Sequence, residues 1–96
     1  MKQQICILGS TGSIGTQALD VISQHPDLYE AYALTANRRW KELAAQARRF
    51  HPAAVVIADE TFYEPLVKEL ADIPDVKVYC GSKALEEIVE SPSIAM

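Results

Sequence analysis

The run Ile5-Cys6-Ile7-Leu8-Gly9-Ser10-Thr11-Gly12-Ser13-Ile14-Gly15 decides the fold. Residues 5–8 are apolar, and the stretch 4–8 is too short and too β-branched for a helix, which predicts a buried strand. Three glycines spaced three apart follow, and a helical pattern opens at Ser13 or Ile14. Ile14, Ala18, Val21 and Ile22 are expected on one face of that helix, with Ser13 as its cap. It should end near His25, because Pro26 disfavours the α conformation in the residue before it.

Glycines between a strand and a helix suit a phosphate. Glycine permits positive φ and close backbone approach. The helix start adds free amides and a partial positive charge. The spacing is G-x-x-G-x-x-G, a relative of the dinucleotide-binding G-x-G-x-x-G. Gly9, Gly12 and Gly15 shape the loop, and Thr11, Gly12, Ser13 and Ile14 are expected to offer amides, with hydroxyls from Thr11 and Ser13. No Gly-Lys-Ser/Thr follows, so the stretch is not a P-loop.

Downstream, strands and helices alternate. Residues 30–35 predict a second strand, and 36–39 a turn before a helix starting near Trp40. On that helix Trp40, Leu43, Ala44, Ala47 and Phe50 share one face. Arg48 and Arg49 stand near its C-terminal end, opposite the dipole's negative pole. Residues 53–58 form a third strand, apolar on both faces. Thr61-Phe62-Tyr63-Glu64 has capping-box spacing for a helix with Phe62, Leu66 and Leu70 inward and Pro65 early in it. Residues 76–79 predict a fourth strand, and Leu85, Ile88 and Val89 the inner face of a last helix. The pattern is an α/β fold, a Rossmann-like parallel sheet with flanking helices.

Length and composition bound the function. With 96 residues, 49% of them hydrophobic, the chain is one globular domain at most. Two mononucleotide halves usually need more chain, so residues 1–96 are expected to be the N-terminal part of a dinucleotide-binding domain. The end at Ile94-Ala95-Met96 reads as cut. In a doubly wound sheet the first strand is central. Without its second half, residues 5–8 should form an exposed apolar edge prone to self-association. A formal charge of −4 provides no basic field for nucleic acid. No apolar run approaches the roughly 20 residues that span a bilayer. Neither a signal nor a transit segment is recognisable, so a soluble cytoplasmic protein is the default.

The end of the second strand selects the cofactor. NAD-binding folds usually carry an acidic residue there for the ribose hydroxyls. Here stand Ala36-Asn37-Arg38-Arg39, without a carboxylate. A guanidinium pairs with a 2′-phosphate through two parallel charge-assisted bonds and also stacks on adenine. This favours NADP over NAD.

Other candidates are bland. His25 and His51 precede prolines and lack ligand neighbours at metal-site spacing. Cys6 and Cys80 read as packing residues. Asp59-Glu60 reads as a helix cap. Asp20, and the face Glu86, Glu87 and Glu90, read as solvated. No catalytic constellation is present.

With Gly9–Gly15 followed by Thr16-Gln17-Ala18-Leu19-Asp20-Val21, the chain closely resembles the start of the 1-deoxy-D-xylulose 5-phosphate reductoisomerase family. That family opens with a strand, G-S-T-G-S-I-G and a helix carrying Leu-Asp-Val. Ala33-Leu34-Thr35-Ala36-Asn37-Arg38 matches its second strand and turn. The resemblance spans essentially the whole chain, with its specific part in roughly the first 40 residues. It implies NADPH binding, with Thr11, Gly12, Ser13 and Ile14 at the phosphate-loop contacts and Asn37, Arg38 and Arg39 in the turn for the 2′-phosphate. Some members have glycine and lysine where this chain has Asn37 and Arg38, which keeps the positive charge.

The resemblance further implies rearrangement and reduction of 1-deoxy-D-xylulose 5-phosphate to 2-C-methyl-D-erythritol 4-phosphate in isoprenoid synthesis. It implies a phosphosugar substrate, a divalent magnesium or manganese ion held by acidic residues of a later domain, and a homodimer at full length. No position of this chain receives a catalytic or metal-binding role, and the stretch alone should not catalyse. The alternatives are another NADP-linked enzyme with a G-x-T-G-x-x-G loop, such as an aspartate-semialdehyde dehydrogenase, and a non-catalytic nucleotide-sensing module.

Overall fold

A computed structural model describes residues 3–81, 83–84 and 94–95. The elements are β1 (Gln3–Ile7), α1 (Ser13–Gln24), β2 (Tyr29–Ala36), α2 (Trp40–Phe50), β3 (Ala54–Ile57), a 3-10 turn (Glu60–Phe62), α3 (Tyr63–Glu69), β4 (Lys77–Cys80) and β5 (Ile94–Ala95). They form a five-stranded sheet of order β4-β3-β2-β1-β5. Every pairing is parallel.

This order corrects the expectation of an open first strand. β1 is interior, because Ile5 and Cys6 pair with Ile94 and Ala95 on the side away from β2. The strands step outward from β1 to β4, and the chain then returns to the far side of β1. That reversal makes the β1/β5 seam a topological switch point, where open α/β sheets bind ligands at the carboxyl ends of their strands. The last helix expected around Leu85, Ile88 and Val89, with Glu86, Glu87 and Glu90, lies outside the described residues.

Helices α1, α2 and α3 pack on one face of the sheet. Ile5 and Ile7 of β1, Leu34 and Ala36 of β2, and Val55 and Ile57 of β3 meet Leu19 and Ile22, Leu43, Ala44 and Ala47, and Leu66 and Leu70. On the other face Cys6, Ala33 and Ala54 form a smaller cluster with Tyr32 against it. The period-two alternation is broken once. Ile5 pairs with Ala31 but Cys6 with Ala33, so β2 carries one extra residue there. This bulge lets Ala31 and Leu34, three apart, face the same helices.

Two local expectations change. The buried face of α1 is Gly15, Leu19 and Ile22 with Ala18 beside them, whereas Ile14 is 83% and Val21 50% exposed. The helix turns its glycine, not Ile14, inward against the preceding loop, where only a residue without Cβ fits. The capping box at Thr61 also fails. Asp59 accepts the Thr61 amide at 3.0 Å and caps the 3-10 turn, which runs into α3 without a side-chain cap. The Asp59 carboxyl lies below the usual range because of the Thr61 bonds, with Arg38 adding to the effect. α2 ends as expected beside Pro52, with His51 in the left-handed region at φ 47°.

Candidate functional site

Parallel strands finish on one edge, so the loop after β1 and the turn after β2 lie side by side. Gly9 leaves the strand at φ +71°, a conformation that needs glycine. Its amide donates to Thr35 Oγ1 at 2.8 Å, and the Ser10 amide donates to the Thr35 carbonyl at 2.8 Å. The loop is thereby fastened to the end of β2.

From there it turns into α1. The Gly12 amide donates to the Gly9 carbonyl at 3.0 Å, closing the turn. Gly12 therefore spends its amide internally, which corrects its place among the free donors. It occupies the cap position in extended conformation (φ −82°, ψ 174°), where Ser13 was expected. No side chain caps α1, and its first turn holds no acidic residue. The amides of Ser13, Ile14 and Gly15, the first helical residues, have no intrahelical acceptor by construction. They face the space beyond the helix start together with its positive dipole end. Thr11 is half-buried, and Ser13 and Ile14 are exposed.

The glycines divide the work. A Cβ on Gly15 would meet the Gly9 carbonyl oxygen at 2.3 Å and Ser10 Cα at 2.6 Å. A Cβ on Gly12 would meet Gly9 O at an ordinary 3.4 Å. The protein's own packing thus demands glycine at 15 but not at 12, where the demand must come from whatever approaches the loop.

The neighbouring turn presents the cations. Ala58 and Asp59 donate their amides to the carbonyls of Ala36 and Asn37 at 2.9 and 3.0 Å, extending the β2–β3 ladder under the turn. Arg38 stands above, its side chain 72% exposed, with Nε 3.6 Å from Asp59 Oδ2. Among the described residues this is the one ion pair of Arg38, and most of its side chain faces water. Arg39 precedes α2, with Nη1 3.5 Å from Glu42 Oε2. Between loop and turn lies an apolar cleft of about 300 Å³, lined by Leu8, Gly9, Thr35, Ala36, Asn37, Val56 and Ala58.

Three residues here carried no sequence signal: Ser10, Thr35 and Gln46. Ser10 is fully buried, and its hydroxyl donates to Gln46 Oε1 at 2.7 Å, with the Thr35 carbonyl farther away at 3.3 Å. Gln46 Nε2 returns a bond to the Ser10 carbonyl at 2.8 Å. These contacts join positions 25 and 36 residues apart, so local pattern does not reveal them. Elsewhere, Cys6 and Cys80 are free thiols, and burial pushes the Cys6 thiol up, away from reactivity. Among the described residues no group of three or more His, Cys, Asp or Glu comes together, and no helix is long and apolar enough to cross a membrane.

Comparisons with known proteins agree on one family. Residues 5–96 match the family model of 1-deoxy-D-xylulose 5-phosphate reductoisomerase. The proteins of that name from Phocaeicola vulgatus and Porphyromonas gingivalis are 65% and 50% identical over 98% and 100% of this chain. The chain spans only 24% and 25% of their lengths. Among solved structures, the Zymomonas mobilis reductoisomerase in complex with NADPH superposes with a TM-score of 0.91 at 39% identity, over 97% of this chain and 24% of that one. A reductoisomerase in complex with magnesium superposes with a TM-score of 0.89 at 35% identity, over 98% of this chain and 24% of that one. A semialdehyde dehydrogenase or a sensing module would share a glycine loop, but the match extends far past the loop and through the whole sheet. The chain belongs to the 1-deoxy-D-xylulose 5-phosphate reductoisomerase family.

Proposed function

We propose that residues 9–15 and 36–39 hold NADPH, as the N-terminal part of the cofactor domain of a reductoisomerase. One observation carries this reading. The start of α1 has neither a side-chain cap nor an acidic residue in its first turn, and it lies on the same sheet edge as the exposed guanidinium of Arg38. Amides and a dipole serve a pyrophosphate, and a cation at the end of β2 serves a 2′-phosphate. A carboxylate at the start of α1, or in place of Arg38, would repel the phosphate expected there.

The residues fit the cofactor part by part. Ser13, Ile14 and Gly15 offer amides, Thr11 and Ser13 offer hydroxyls, and Gly12 offers a surface without Cβ. Arg38 and Arg39 offer guanidinium groups to the 2′-phosphate. The apolar cleft beside Leu8, Ala36 and Asn37 suits the flat, apolar part of the adenosine. When bound, NADPH supplies a hydride.

At full natural length the protein converts 1-deoxy-D-xylulose 5-phosphate to 2-C-methyl-D-erythritol 4-phosphate, a step of isoprenoid synthesis. It works as a cytoplasmic homodimer, with no nucleic-acid or membrane partner. A magnesium or manganese ion is held by acidic residues outside this chain. The names and bound ligands of its relatives support this reading. The test is cofactor consumption by the full-length protein with this phosphosugar and magnesium. NADPH absorbance should fall only when the phosphosugar is present, and NADH should substitute poorly. No consumption, or equal rates with both cofactors, would overturn the proposal.

A further inference from the structure

We infer that Gln46, on α2, is a positioning residue that aims the Thr11 amide of the phosphate loop. The inference rests on the cofactor reading above and adds a residue that none of the glycine or arginine contacts includes.

Ser10 lies between Gly9 and Thr11 and is fully buried. Its amide is held by the Thr35 carbonyl at 2.8 Å. Its carbonyl and hydroxyl are both held by one side chain: Gln46 Nε2 donates to the carbonyl at 2.8 Å, and Gln46 Oε1 accepts from the hydroxyl at 2.7 Å. A carboxamide carries donor and acceptor on one rigid plane, so it can close this reciprocal ring. A carboxylate lacks the donor, and an aliphatic chain lacks both.

The ring acts on the next residue through the peptide plane. The Ser10 carbonyl and the Thr11 N–H belong to one planar trans unit and point in opposite directions. Drawing the carbonyl toward Gln46 therefore turns the Thr11 N–H away from α2. Among the described residues that N–H has no acceptor, which leaves it for the ligand. Without Gln46 the Ser10–Thr11 peptide is held only through its neighbours and can rotate. Buried polar groups that lose their partners are costly, so the loop would seek other orientations. The effect should fall on ligands that carry a pyrophosphate, not on contacts made by Arg38.

The experiment compares the unmutated protein at full natural length with Gln46→Met and Gln46→Asn. Met keeps the volume and loses the bonds. Asn keeps the polarity and withdraws the amide by one methylene. Affinity is measured calorimetrically for NADPH, NADH and adenosine 2′-monophosphate, which has no pyrophosphate. Both variants should weaken NADPH and NADH by one common factor of about tenfold (~1.4 kcal/mol). Binding of the 2′-monophosphate should stay within about twofold. Ser10→Ala, which keeps the carbonyl-to-Gln46 bond, should lose less than either variant. If the unmutated protein binds none of the three ligands, the cofactor reading falls and this proposal with it. If it binds NADPH but both Gln46 variants bind it equally well, or lose all three ligands in parallel, the positioning role is overturned and the cofactor reading stands.

Discussion

A Cβ on Gly15 would lie 2.3 Å from the carbonyl oxygen of Gly9, so the first turn of α1 packs directly against the loop that precedes it. Gly12, between them, has no such neighbour. The same amino acid therefore answers two different demands within one loop.

Substitution should separate these demands. Gly15→Ala forces a methyl against the backbone of Gly9 and Ser10, an overpacking that costs about 1–3 kcal/mol. Gly12→Ala changes only the cap residue, for roughly 1 kcal/mol at most, yet places a methyl where the pyrophosphate is proposed to approach. Urea denaturation should rank Gly15→Ala as the less stable variant. NADPH titration should show Gly12→Ala weakened well beyond its small stability loss. Equal stability losses with unchanged affinity in Gly12→Ala would refute the division.

Arg38 should set the choice of cofactor. Its guanidinium is anchored to Asp59 by one long contact of 3.6 Å and is otherwise exposed. Hydrogen bonds to charged groups contribute about 1.5–3 kcal/mol each, with the lower end expected in water. Arg38→Asp should therefore lower NADPH affinity by tenfold or more while leaving NADH affinity nearly unchanged. Fluorescence titration of the two nicotinamides reads this directly, and an equal loss for both would argue against a 2′-phosphate contact.

Acid should undo a clamp remote from the site. Arg48 on α2 holds Asp72 through two bonds, Nη1 to Oδ2 at 2.7 Å and Nη2 to Oδ1 at 2.9 Å, and also donates to the Glu69 carbonyl. The bond from Arg48 holds the Asp72 carboxyl below its usual range. A carboxyl depressed in the folded state stabilises fully above its unfolded value, about 3.9, and loses that contribution as pH falls through the lower folded value. Asp72→Asn should thus be slightly less stable than the unmutated protein at neutral pH. The difference should vanish in acid and shrink with added salt. A difference that persists below the carboxyl's titration would exclude this origin.

The backbone plan was legible because its signals are local. Apolar four-residue runs, the glycine spacing and the face Leu43, Ala44 and Ala47 each lie within one element. Strand and helix limits follow from the prolines at 26 and 52, which end the preceding helices. β5 carries no comparable signal: two residues, Ile94 and Ala95, have no period, and their role depends on where β1 lies. The α1 face was misread because hydropathy favours Ile14 over Gly15, whereas close packing favours the smaller residue.

The candidate site divides in the same way. Its glycines and arginines stand in sequence, since their chemistry lies in the residue type. Ser10, Thr35 and Gln46 do not, because their role lies in bonds between a loop, a strand and a helix. The Gly12 amide was assigned outward because the internal bond to Gly9 belongs to the turn, not to the motif. Asp59 rather than Thr61 became the cap because the chain first enters a 3-10 turn, two residues earlier than the capping-box spacing suggests.

As proposed above, the cofactor's phosphates sit at the start of α1. Backbone amide resonances of the protein at full natural length, followed by NMR as NADPH is added, test it most directly. Thr11, Ser13, Ile14 and Gly15 should shift most, with Arg38 and Arg39 next. Ser23, Tyr29 and Glu30, at the opposite edge of the sheet, should stay in place. Saturable shifts confined to that opposite edge, or no shift along 11–15 at saturating NADPH, would contradict the account.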